Sequence, residues 1–126
     1  MADVFKDLKA AFEAAAKTPR GSRAVNGHDE DFEIEIAGHA PIHLEIAGGK
    51  MNVNQGPSPR QVALHFTRLE LDEATLYDIL GGRASPVDAM EAGKLYLRTR
   101  LYGGALVTIL LRSAYDLARE RKIGAA

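Results

Sequence analysis

What the chain lacks narrows it before any motif is read. It has no cysteine, which excludes disulfides, thiol nucleophiles and thiolate metal sites and suits a reducing compartment; a cytoplasmic location is the expectation. It has no surplus of either charge: 16 Lys+Arg stand against 17 Asp+Glu, a net charge of −1. Phosphate binding needs a basic surplus or stripe, so nucleic acid is not the expected partner. It has no long apolar run. Its longest apolar patch, Ala105–Leu111, is interrupted by Thr108 and falls well short of the roughly 18 apolar residues of a membrane span. The opening MADVFKDLKAAFEAAAK alternates charged with apolar residues and so lacks the apolar core of a signal peptide. The closing KIGAA is not a peroxisomal address. Internal repeats and low-complexity tracts are also missing.

What is present is enough for a core. Hydrophobic residues make up 46 % of 126 positions, which suits one folded domain that needs no metal or disulfide staple. The expectation is a single domain over residues 1–126, with an N-terminal helix and loop over 1–30 and a core over 31–122.

The pattern along the chain predicts an α+β fold. Val4, Phe5, Leu8 and Phe12 share one face of an N-terminal helix with Asp3 as its cap. Thr18-Pro19-Arg20-Gly21-Ser22 ends that helix, and a polar surface loop is expected from there to about Glu30. Phe32, Ile34 and Ile36 then alternate with Asp31, Glu33 and Glu35; Ile42, Leu44 and Ile46 alternate with His43 and Glu45. That period of two marks strands with one buried face. Gly48-Gly49 is a hairpin signal leading into a strand with Met51 and Val53. A longer strand is expected over Gln61–Leu71, where Val62, Leu64 and Phe66 have one parity and Leu69 and Leu71 the other. Such a change needs a bulge, a twist or a cover on both faces.

Two short helices follow, each with its own start signal. Asp72 caps the first, whose stripe is Leu76, Ile79 and Leu80, and Gly81-Gly82 stops it. Ser85, Pro86 and Asp88 start the second, to which Val87 and Met90 are expected to give its apolar contacts. Leu95, Leu97, Thr99 and Leu101 form the last strand, Gly103-Gly104 turns the chain, and Ala105–Lys122 is the most apolar helix. Leu106, Ile109 and Leu110 lie near one face of it, with Val107, Leu111 and Ala114 widening that face. The order is α-ββββ-αα-β-α.

No catalytic constellation stands out. His39 and His43 are separated by Pro41 and lack ligand-spaced partners, so neither a metal site nor a cofactor is expected. Glu33, Glu35 and Glu45 fall on the polar side of their strands. They read as a solvated sheet face, with Arg98 and Arg100 placed to form cross-strand ion pairs rather than an acid–base pair. No serine has a nucleophile-elbow context. Arg83 and Lys94 are candidates to meet a charged head group. The sign of an enzyme would be a pocket holding a histidine and a carboxylate within hydrogen-bond reach.

The stretch LELDEATLYDILGGRASPVDAMEAGKLYLRTRL (Leu69 to Leu101), followed by an apolar terminal helix, resembles the sterol carrier protein 2 (SCP2) family of lipid-binding domains. The resemblance rests on Leu80-Gly81, Pro86, Ala89-Met90 and Gly93-Lys94, and on Gly48-Gly49 before Met51 upstream. It covers about residues 30–120 and does not extend to the N-terminal GSRAVNGHDED segment. It implies a five-stranded, mostly antiparallel sheet with helices packed on one face. It also implies an apolar tunnel between them for a fatty acid, acyl-CoA, sterol or phospholipid, closed in part by the terminal helix. On this reading Phe66, Leu76, Leu80, Val87, Met90, Leu106, Ile109 and Leu110 are the expected ligand-binding residues, in a cavity beneath residues 104–117. The expected protein is a non-catalytic lipid-binding or transfer module, with transient membrane contact possible and either a monomer or a homodimer. The competing expectation is an interaction or dimerisation domain that uses the apolar terminal helix.

Overall fold

The computed structural model describes residues 3–27, 29–59, 66–99 and 105–125. In chain order these form α1 (Val4–Ala16), α2 (Pro19–Gly27), β1 (Glu30–Ile36), β2 (Ile42–Ala47), β3 (Lys50–Gln55), β4 (Phe66–Leu71), α3 (Glu73–Leu80), α4 (Pro86–Glu91), β5 (Leu95–Thr99) and α5 (Ala105–Ala125). The strands make one five-stranded sheet in the order β3-β2-β1-β4-β5. Three neighbouring pairs are antiparallel and the central β1–β4 pair is parallel. The mostly antiparallel α+β expectation therefore holds, with a mixed centre.

The alternating strands produce one fully covered face. Phe32, Ile34, Ile36, Ile42, Leu44, Ile46 and Leu69 are each at most 2 % exposed. The helices lie on this face and fill it. α1 contributes Val4, Leu8, Phe12 and Ala15, α2 contributes Ala24 and Val25, and α3 contributes Leu76 and Ile79. α5 packs against the other four helices and buries Leu106, Val107, Leu110, Leu111 and Ala114. Burial of this extent is the main stabilising term of the fold.

The helix starts follow their sequence signals. Asp3 accepts from the Lys6 N–H at 3.1 Å and Asp72 from the Thr75 N–H at 2.8 Å. Ser85 and Asp88 form a reciprocal capping box with Pro86 in the first turn.

Three expectations need correction. The segment after α1 is a helix, not a loop. The Thr18 hydroxyl oxygen accepts from the Gly21 N–H at 3.0 Å, and Pro19 occupies the first helical position, where no N–H is needed. Gly21 is required there, because a Cβ would lie 1.9 Å from the Ala15 carbonyl oxygen. Second, α4 turns Pro86 and Ala89 inward, while Val87 and Met90 are 48 % and 40 % exposed. In a helix of six residues the capping box fixes the rotation, and that rotation sends Val87 and Met90 outward. Third, Glu33 is not solvated. It is 1 % exposed and accepts from the Ser58 N–H and from Arg68 Nε, both at 3.0 Å. Ser58, itself buried, lies over Glu33 on the polar side of the sheet. The expected positions Val62, Leu64, His65, Arg100 and Gly103-Gly104 lie outside the described residues.

Candidate ligand site

The expected site is the seam where α3 and α5 meet over the apolar sheet face. α3 brings Leu76, fully buried, and Leu80, half-buried. α5 brings Leu106 and Leu110, both buried, and Ile109, half-buried. These five belong to one apolar cluster with Ile79, Val107 and Leu111. Phe66 begins β4 at the register position opposite Asp31, and its side chain lies outside the described part. Val87 and Met90 stand at the solvent side of α4. The structure thus brings five of the eight residues into one cluster and leaves two at its outside.

Contacts of α3 with its own cap, with α1 and with α5 fix it beside the seam. The Tyr77 hydroxyl donates to Asp7 at 2.5 Å, which fastens α3 to α1. Loss of hydration, and then this bond to Asp7, push the Tyr77 phenol up to about 12. The Thr75 hydroxyl and the Thr75 backbone N–H hold the Asp72 carboxyl below its ordinary range, which keeps the α3 cap charged. At the other end Gly82 lies against Ala118 and Arg119 of α5.

The two cations considered for a head group have other surroundings. Arg83 donates through Nε to Asp78 at 3.0 Å and through Nη2 to the Tyr77 carbonyl at 2.9 Å, closing the end of α3. Lys94 is exposed and lines a cleft of about 520 Å³ that also touches Glu35, His39, Glu70, Leu71 and Tyr96. Two smaller clefts lie beside α1, one of about 220 Å³ against α2 and Met51 and one of about 330 Å³ against Ala40 and Ile42. None of these three clefts is lined by the eight expected residues.

Chemistry at the clefts is limited. His39 Nε2 lies 3.0 Å from Glu73 Oε2, a histidine–carboxylate contact of the kind an acid–base site uses. Both side chains are more than a third exposed, without the apolar enclosure that sets such a pair to work. The contact pins the β1–β2 turn to the first turn of α3. Among the described residues no group of three or more histidine and carboxylate side chains is placed to hold a metal ion. No helix of the described residues is long and apolar enough to cross a membrane.

Comparison with solved structures decides the fold. Sterol carrier protein 2 superposes with a TM-score of 0.58 at 16 % identity, covering 93 % of this chain and 95 % of that one. The chain has the sterol carrier protein 2 fold. A UbiJ-SCP2 ubiquinone synthesis protein matches with a TM-score of 0.61 at 13 % identity, over 93 % of this chain and 92 % of that one. The stereoselective inverting sec-alkylsulfatase Pisa1 from Pseudomonas sp. matches with a TM-score of 0.56 at 18 % identity; the match spans 71 % of this chain and only 13 % of the sulfatase. No family model and no curated protein matches the chain. At these identities the SCP2 likeness is one of fold.

Proposed function

We propose that this chain binds an apolar, lipid-like ligand and carries out no reaction on it. The observation that carries the reading is the SCP2 fold along nearly the whole length of both chains compared. The ligand class is a fatty acid, acyl-CoA, sterol or phospholipid. The residues assigned to it are Leu76, Leu80, Leu106, Ile109 and Leu110 between α3, α5 and the sheet, Phe66 at the start of β4, and Val87 and Met90 at the outer rim.

The physics of such binding needs no directed polar group. Each buried methylene is worth about 0.8 kcal/mol, so a long acyl chain gains on the order of 10 kcal/mol before ordering and association costs. A cysteine-free chain suits the reducing cytoplasm as its place of action. The competing reading, an interaction domain working through the apolar terminal helix, is less well supported. Leu106, Val107, Leu110, Leu111 and Ala114 are buried by the chain itself and are not free for a partner.

The test is a gentle purification followed by organic extraction and mass spectrometry. A stoichiometric acyl lipid or isoprenoid is the expected result and names the class. An extract without lipid, together with no uptake of a fluorescent fatty acid by the same preparation, would overturn the proposal.

A further inference from the structure

We propose that the outer edge of β5 is an interface between two copies of this chain, paired antiparallel about a two-fold axis at Leu97. The sheet ends in two described edges, and they are unlike. β3 exposes Lys50, Asn52, Asn54 and Gln55, and α1 and α2 pack beside it. β5 has exposed apolar side chains on it and beside it instead. Among the described residues the exposed large hydrophobic side chains are Val87, Met90 and Tyr96. Tyr96 lies on β5 itself, and Val87 and Met90 lie on α4, which packs on β5. Single exposed apolar residues need no explanation. Three gathered at the two sides of one strand edge mark a contact surface.

Among the described residues β5 carries few of the features that keep sheet edges apart, Arg98 being its one charged side chain. It has no proline, and its register with β4 runs without a bulge from Leu71↔Leu95 to Thr67↔Thr99. Its inward side chains, Leu95 and Leu97, are apolar. A strand edge with no proline and no bulge is a template for another strand.

The occupant follows from the order of side chains. With the axis at Leu97, Leu97 faces its mate and Tyr96 of each copy faces Arg98 of the other. Leu95 then faces Thr99. Tyr96 and Arg98 alternate with inward Leu95 and Leu97, so both point away from the helices. Within one chain the Arg98 guanidinium already sits 5.3 Å from the Tyr96 ring, and Arg98 Nε is 3.3 Å from Glu70. Pairing gives each guanidinium a second ring, with Glu70 behind it, and does so twice by symmetry. A second copy therefore fits the edge by both shape and charge. The interface lies on β5, apart from the seam between α3 and α5. Val87 and Met90 beside it are also assigned to the ligand rim, so the dimer is tested through Tyr96 and Leu97, which are not, and is read separately from the lipid.

Sedimentation velocity over a concentration series, on the wild-type chain and on Tyr96→Arg, tests the proposal. In its own chain the substituted position is in register with Glu70, which favours folding, and circular dichroism checks that the fold is kept. Across the axis it sets arginine against arginine. The expected result is a reversible wild-type dimer whose dissociation constant rises on the order of tenfold to a hundredfold in Tyr96→Arg. Register is read separately, because the chain has no cysteine of its own. Paired Leu97 residues would have Cα atoms about 4.5–5.5 Å apart, inside the range a disulfide spans. Oxidation should cross-link Leu97→Cys into a covalent dimer and leave Asn54→Cys, on the β3 edge, uncross-linked. A wild-type chain that stays monomeric throughout, a Tyr96→Arg dimer as tight as wild type, or any other cross-linking pattern overturns the proposal.

Discussion

Tyr77 shows how one polar side chain can govern the packing of two helices. Its ring belongs to the apolar cluster while its hydroxyl reaches Asp7 on α1. The phenol titrates near 12 in the folded chain, against 10.0 ordinarily, with lost hydration as the larger cause and Asp7 next. The folded state therefore favours the protonated form. That contribution to stability is fully present below pH 10 and is lost as pH rises from 10 toward 12. Tyr77→Phe should cost about 1 kcal/mol at neutral pH, the worth of one partly buried hydrogen bond. The wild-type advantage over the variant should shrink as pH climbs through that window and then reverse, because only wild type has a phenol to ionise there. Chemical denaturation of both proteins at a series of alkaline pH values measures this, and the late tyrosinate absorbance should vanish from the variant. None of this is written in the local sequence. Asp7 and Tyr77 lie 70 positions apart, and only the fold brings them together. Glu33 repeats the point: its alternation placed it correctly on the polar side of β1, but the Ser58 segment that buries it has no local signal in the strand.

At the scale of elements, caps and periods were legible and close approaches were not. Asp3, Asp72 and Ser85 each start a helix as their residue types imply. The strands with clean alternation, β1 and β2, appear at the expected places. α2 was hidden because Gly21 and Pro19 read as breakers, although a threonine–proline pair is also a helix start. The glycine is there for α1, not for a turn. Gly82 makes a comparable contact between α3 and α5, and a pair of variants separates its two roles. It has φ +74°, and a Cβ would meet the Arg119 backbone nitrogen at 3.2 Å and Ala118 Cβ at 3.3 Å. Gly93 has nearly the same φ, +73°, with nothing within 4 Å. Gly93→Ala should therefore cost only the left-handed backbone penalty, about 1 kcal/mol. Gly82→Ala should cost about 1–2 kcal/mol more, because α3 and α5 must move apart. Equal losses in thermal or denaturant unfolding would show that the α3–α5 approach tolerates a methyl group.

At the scale of the whole molecule, the helical layer and the apolar sheet face are a single cluster, so stability and the proposed ligand site draw on the same side chains. Five of the eight expected ligand residues fall in that cluster because periodicity reports which residues turn inward. Periodicity does not report whether inward residues meet one another or a guest, and it misjudged α4, where six residues give too little length for a stripe. Leu110 allows the two to be separated. It is fully buried on the helix that touches the other four. Leu110→Ala should destabilise the ligand-free chain by about 2–5 kcal/mol, the range for removing a buried leucine side chain. That is a large share of the roughly 5–15 kcal/mol by which a domain is stable. An apolar chain lying beside Leu110 would fill part of the space left. A ligand that binds only the folded state adds stability in proportion to the logarithm of its concentration over its dissociation constant. The gain on adding a saturating fatty acid should therefore be larger in Leu110→Ala than in wild type. The readout is the shift in Tm on ligand addition, compared between the two proteins. A larger shift in the variant places Leu110 on the ligand. Equal shifts would confine Leu110 to packing and move the site away from the middle of α5.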